Sequence, residues 1–298
     1  MFDLYIRHEW WFAAVQLALA MFGMGATLRL DDFVAVFRQP KAFVVGFVIQ
    51  VVGIPLLAMA FTAALAPPPG LGFGLILVAA MPGGAMSNVV TWFARSNVPL
   101  SIALTAMVTL TCMVTTPIVL RLLADDLVRA DFVMPIGAIA FDIAACLLVP
   151  LGLGMIAGAP LPHHRRELIA RWCIRASLAV VLLIAIGSAG AGRLGGDALA
   201  GSSLLIILLF AVAVQQAGTL PSWALGLSRA DAGSIAIEAA IRNTNLALLL
   251  KASLFPAAPG VADPMADGVL ITALLYGAMA APLTIPLVLV HRWLARKR

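Results

Sequence analysis

Residues Met81–Thr105 read MPGGAMSNVVTWFARSNVPLSIALT, a stretch that sits in an apolar run yet cannot continue as one regular helix. Proline withdraws a backbone donor, and each of two adjacent glycines weakens a helix by about 1 kcal/mol. A segment crossing lipid must satisfy its own backbone, and irregular backbone at membrane depth is tolerated only where protein or a water-filled cavity covers it. Pro82-Gly83-Gly84 therefore reads as the break of an interrupted helix that lines a site for a solute or an ion.

The surroundings of this stretch are those of a membrane protein. Of 298 residues, 62% are hydrophobic and 11% charged, with a mean hydropathy of +1.05, where soluble domains carry about 25% charged residues. At roughly 20 residues per span, the chain holds about nine or ten spans and no soluble domain. Apolar runs fall near 10–28, 42–66, 71–94, 98–123, 133–158, 172–192, 201–225, 230–254 and 267–294, and Pro67-Pro68-Pro69-Gly70 separates the second from the third. The expected architecture is all-α, with nine transmembrane helices in a single domain spanning residues 1–298. No signal peptide is read in the segment before the first run, because that run continues as a span.

The net charge of +5 follows topology rather than a nucleic-acid partner. Arg29, Arg38 and Lys41 occupy the first connector, and Arg165, Arg166, Arg171 and Arg175 the fifth; Arg292, Arg296, Lys297 and Arg298 close the chain. The second connector has no basic residue and the sixth only Arg193. Basic loops stay on the cytoplasmic side, so the N-terminus is expected outside and the C-terminus in the cytoplasm, in a cell (inner) membrane. Cys112, Cys146 and Cys173 lie in or beside apolar runs and read as small core residues rather than a disulfide framework. No protein partner is evident, and the lipid bilayer is the expected surrounding.

A second interrupted segment, Ser234–Leu250 (SIAIEAAIRNTNLALLL), places Glu238, Arg242, Asn243, Thr244 and Asn245 inside the eighth run. An ionisable group at the bilayer centre costs at least about 2.5–3.5 kcal/mol and so faces a cavity or a partner. Interrupted spans in corresponding positions of two halves mark inverted-repeat transporters, with the binding site where the breaks meet. Residues 10–123 then form one repeat, 172–294 the other, and 133–158 an unpaired span.

Sodium, a hard cation, takes oxygen ligands. Ser87, Asn88, Ser101 and Thr105 offer four side-chain oxygens, Ser101 and Thr105 on one helix face, and Glu238 offers a carboxylate. The plainer role for hydroxyl and amide side chains in membranes is to join helices. Helix N-termini that follow the two breaks present free N–H groups and a positive dipole end, which favour an anion.

The string PGGAMSNVVTWFARSNVPLSIALT with the later Thr116-Pro117, the segment GMGATLRLDDF at Gly23–Phe33, and Glu238 five residues before Asn243 together resemble the bile acid:sodium symporter family over nearly the whole chain. The resemblance implies a core domain with two crossed broken helices and a panel domain. It implies Ser87, Asn88, Ser101, Thr105 and Glu238 as ligands of a first sodium ion. For a second, it implies Gln50, Glu238 and the backbone carbonyls of Ala239 and Ile241, with a glutamine where this chain has Arg242. It places an organic anion, a bile acid, steroid sulfate or smaller carboxylate, at Asn243 and the backbone around Ala85 and Met86; Ala85 stands where threonine is frequent.

A guanidinium has no acceptor and stays protonated, so Arg242 cannot ligate sodium. It is expected to occupy the second cation position, paired with Glu238, leaving one coupling sodium. Its other readings are a counter-ion to a substrate carboxylate and a structural ion pair. Asp142, in mid-span, is a further ionisable group whose role stays open, and Lys251 and Arg95 are expected to snorkel from helix ends. No phosphate loop supports ATP-driven pumping and no serine–histidine pairing supports an enzyme. The expected activity is sodium-coupled import of an organic anion by alternating access. A proton-coupled or uncoupled carrier of the same fold and a membrane anion receptor are the alternatives.

Overall fold

The computed structural model describes residues 2–34, 40–84, 86–195, 201–258 and 261–296, and within them the chain is all helix and connector. The helices are α1 (Phe2–Arg7), α2 (Glu9–Thr27), α3 (Leu30–Val34), α4 (Pro40–Val48), α5 (Ile54–Leu65), α6 (Pro69–Ala80), α7 (Met86–Phe93) and α8 (Val98–Leu123). They continue as α9 (Ile136–Ile143), α10 (Val149–Gly158), α11 (His163–Gly190), α12 (Gly201–Ala224), α13 (Arg229–Ala240), α14 (Thr244–Leu254), α15 (Pro264–Leu283) and α16 (Ile285–Arg296). Seven continuous helical stretches among the described residues are long and apolar enough to cross a membrane. Two further apolar segments are each split: α6 from α7 after Ala80, with residues 81–84 outside any helix, and α13 from α14 at residues 241–243. An all-α, multi-spanning membrane fold is thus what the chain adopts.

Local sequence explains where helices start and bend. The triple proline ends α5, whose cap Ala66 takes a positive φ of 42°, and Pro69 opens α6, where its missing N–H is no loss. Asn97, Ser228 and Asp263 cap α8, α13 and α15 through their side-chain oxygens. Single π-turns, Ile49–Gly53 and Ala144–Leu148, join α4 to α5 and α9 to α10, each just ahead of or across a proline-bearing turn.

Packing divides by residue size. Helix α2 lies against α10 and α11, and the contact with α10 is made by glycines. A Cβ on Gly25 would strike the carbonyl of Leu151, and one on Gly154 or Gly158 would strike the backbone of Phe22 or Ala26. Without a hydrophobic drive between helices in lipid, such close backbone approach is a main source of association. Helix α11 turns Leu178, Leu182, Leu183 and Ile186 outward, the apolar exposed face expected of a helix against acyl chains. Helices α6 and α15 are closely packed, with Gly74 against Thr272, and α12 packs on α13, where Gly218 meets Ala236.

Candidate functional site

The two breaks meet in the centre of the molecule and complete each other's backbone. Gly83 and Arg242 form an antiparallel bridge: Gly84 N donates to Ile241 O at 2.8 Å, and Asn243 N donates to Pro82 O at 2.9 Å. Each half-helix that ends at a break has a terminal carbonyl taken by a hydroxyl from elsewhere. Thr116 on α8 donates to Ala80 O at 2.9 Å, and Tyr276 on α15 donates to Ala240 O at 2.8 Å. In both cases donor and acceptor are 36 residues apart. The Asn243 side chain then caps α14 by accepting from Leu246 N at 3.2 Å. Backbone groups freed by the breaks are thereby paired within the protein.

On one side of the crossing lies a carboxylate wrapped in hydroxyls. Glu238 is fully buried. Its Oε1 accepts from Ser87, from Ser101 at 2.8 Å and from Thr105 at 2.5 Å. Thr91, which sequence reasoning missed, donates to Ser101 Oγ at 3.2 Å, and Asn88 Oδ1 lies 3.5 Å from Thr105 Oγ1. The other carboxylate oxygen, Oε2, has no hydrogen-bond partner. Gly83 faces it so closely that a Cβ there would collide with Oε2, which explains a glycine at this point of the break.

The donor set fits a hard monovalent cation. Ser87 and Thr105 each have a second acceptor within reach, Gly84 O at 2.7 Å and Ser101 O at 3.0 Å. Their protons can turn to these carbonyls, leaving hydroxyl lone pairs directed at a cation beside the carboxylate. A group of one carboxylate and neutral oxygens suits such an ion.

On the other side lies Arg242, 4% exposed. Its Nη1 donates to Gln50 Oε1 at 3.2 Å and Met81 O at 3.0 Å, and its Nη2 to Gln50 O at 3.3 Å. No Arg242–Glu238 ion pair within 4 Å occurs among the described residues, which corrects the expected pairing. Helix α13 ends at Ala240, so Arg242 lies in the break and not one helical turn from Glu238. Ile241 O is committed to Gly84 N, Ala239 is buried, and Gln50 sits on the π-turn with its amide nitrogen unpartnered.

A cavity of about 150 Å³ opens at the crossing, with Met21, Gly84, Met86, Ser177, Asn243 and Thr244 in its wall. Met86, Asn243 and Arg242, each named as a candidate to meet substrate, border it; Ala85 lies outside the described residues. Asp142 does not line it, and its Oδ2 is buried without a partner. Lys251 departs from expectation altogether. It is fully buried, and its Nζ donates to Glu9 Oε1 at 2.6 Å rather than snorkelling. The cause is tertiary, since α14 ends inside the protein against α2. Sequence reading missed Glu9, Tyr276 and Ser177 because their partners lie more than thirty residues away; an ionisable Glu9 opening an apolar helix was the one available signal.

The model of the Sodium Bile acid symporter family matches residues 14–193. The chain is 32% identical over 244 residues to the chloroplastic "Probable sodium/metabolite cotransporter BASS1" of Arabidopsis thaliana, covering 79% of this chain and 58% of that protein. It is 31% identical over 268 residues to the corresponding BASS2 protein of Oryza sativa subsp. japonica, covering 89% and 62%. With the ileal sodium/bile acid cotransporter of Homo sapiens it shares 26% over 235 residues, 78% of this chain and 66% of that protein. The chain thus spans about three-fifths of the length of the plant relatives it matches. On the family match and on these likenesses, the chain belongs to the sodium bile acid symporter family.

Proposed function

We propose that the protein is a sodium-coupled secondary carrier that imports an organic anion, a small carboxylate or a bile acid-like steroid, by alternating access. One observation carries this reading: a fully buried carboxylate with three hydroxyl donors on one oxygen and none on the other. A sodium ion against Glu238, with oxygens from Ser87, Asn88, Ser101 and Thr105, satisfies the bare oxygen. It also ties α7, α8 and α13 together, so binding the ion braces the break that Met86 and Asn243 share with the cavity. The anion then meets the N-terminal ends of α7 and α14, whose dipoles favour negative charge. The names of the plant and human relatives, sodium/metabolite and sodium/bile acid cotransporters, support both coupling ion and substrate class.

The carrier has nine spans in two inverted repeats, 10–123 and 172–294, around an unpaired span at 133–158. The equal 36-residue spacing of the two hydroxyl-capped carbonyls supports the repeat. The N-terminus faces outward, as the distribution of Lys and Arg supports. One sodium is carried per cycle, because the Arg242 guanidinium already holds Gln50 Oε1, Gln50 O and Met81 O. A second cation within 4 Å of it would be repelled by about 4 kcal/mol at an effective dielectric of 20.

A second reading has the same observation behind it, because a proton on Oε2 also neutralises the buried carboxylate; the carrier is then proton-coupled. Uptake into proteoliposomes across a pH series, with sodium or choline outside, separates the two. Sodium coupling predicts loss of uptake in choline at every pH, and loss of sodium-dependent uptake in Glu238→Gln. Uptake in choline that rises with acidity supports the proton reading. Undiminished uptake by Glu238→Gln sinks both, and binding without counterflow identifies a receptor.

A further inference from the structure

Far from the crossing, four charged side chains form one buried cluster that the transport reading does not use. Lys251 Nζ donates to both oxygens of Glu9, at 2.6 and 2.8 Å. Arg193 Nη1 donates to the same two oxygens at 3.1 and 3.2 Å, and its Nε donates to Asp267 Oδ1 at 2.6 Å. Lys251, Glu9 and Arg193 are buried, and Asp267 stands at the cluster's edge with 18% of its side chain exposed. The cluster is neutral as a whole. Each member also suits its position: the acids lie in the first turns of α2 and α15, while Lys251 lies in the last turn of α14 and Arg193 just beyond α11.

The four helices pinned at this cluster also contribute to the wall of the cavity further along. Met21 and Ser177 contribute from α2 and α11, Thr244 and Ala280 from α14 and α15. Met21 lies twelve residues along α2 from Glu9, and Ala280 thirteen along α15 from Asp267, which is about 18–20 Å of helix at 1.5 Å per residue. The same helices are therefore held shut at one face and parted further along.

We propose that Glu9, Lys251, Arg193 and Asp267 form a latch that closes the face of the protein at which α2 begins, and that it parts when the site turns toward that face. This rests on the carrier reading above. An ionic cluster suits a reversible seal better than an apolar one. Replacing buried ion pairs by apolar groups is frequently neutral or stabilising, so the charges add little to the closed state. When the seam opens, water solvates all four, whereas an apolar seam would expose its surface to water. Dry and paired, or wet and separate, are two discrete arrangements of one interface.

The test reads which face reaches the cavity. In a background with Cys112, Cys146 and Cys173 replaced by alanine, Met86→Cys places a thiol in the cavity wall, and a charged, membrane-impermeant maleimide is applied from either side of oriented vesicles. With the latch intact, labelling is expected mainly from the face opposite Glu9. Lys251→Met leaves the buried Glu9 carboxylate short of a partner, which penalises the closed seam and not the open, solvated one; Asp267→Asn, at the edge, is the milder variant should the first not fold. Each is expected to raise labelling from the Glu9 face by about tenfold. Folded variants labelled from each face at the parental rate overturn the latch. Counterflow by the unmodified chain, measured alongside, keeps the two ideas separate. Labelling that shifts without counterflow upholds the latch and removes the carrier, and counterflow with unshifted labelling does the reverse.

Discussion

Arg242 puts a positive charge into the second break, held there by two oxygens of Gln50 and one of Met81; under the proposed function it stands in for a second coupling ion. Replacing it with the neutral amide Arg242→Gln returns those oxygens to the site and adds an acceptor. The expected outcome is a second sodium: the Hill coefficient for sodium in uptake rises from about 1 toward about 2, the number of sites. A coefficient near 2 in the unmodified protein overturns the single-ion stoichiometry. At this scale the residue types were legible in the sequence, since Glu238, Ser87, Ser101 and Thr105 were singled out by chemistry alone. The direction of the Arg242 side chain was not, because it depends on α13 ending two residues earlier. Nor was Thr91, which reaches the site only by standing beside Ser101.

At the scale of the element, the two interrupted helices and the glycine seam decide the architecture. Pro82-Gly83-Gly84 announces the first break, while the second carries no proline or glycine and was recognised from its charges. What closes both breaks is a pair of distant hydroxyls, Thr116 and Tyr276, which nothing local to the breaks foretells. The seam between α2 and α10 depends on glycines that let backbones touch. Gly154→Val forces a side chain into the carbonyl of Phe22, and overpacking of this kind costs about 1–3 kcal/mol. The expected readout is a melting temperature in detergent lowered by about 5 °C, with the Glu238 cluster untouched. An unchanged melting temperature would mean that α10 can move away from α2 at no cost.

For the whole molecule, the proposed orientation rests on the placement of Lys and Arg, and it predicts that a fluorescent protein joined after Arg298 fluoresces in intact cells, as a cytoplasmic C-terminus requires. A non-fluorescent fusion, with a periplasmic enzyme reporter active at the same point, would invert the protein. The sequence by itself determined that the chain is helical, lies in the membrane and is interrupted twice, because length, hydropathy and helix-breaking residues are local properties that lipid enforces. It also supplied the residue types at the site opened by Met81–Thr105. Only the tertiary structure decided which of those groups meet. The carboxylate with one bare oxygen, the guanidinium turned to Gln50, and the bonds among the four charges at the start of α2 join side chains more than sixty residues apart in sequence. Such meetings depend on the crossing and packing of whole helices, which local patterning does not encode.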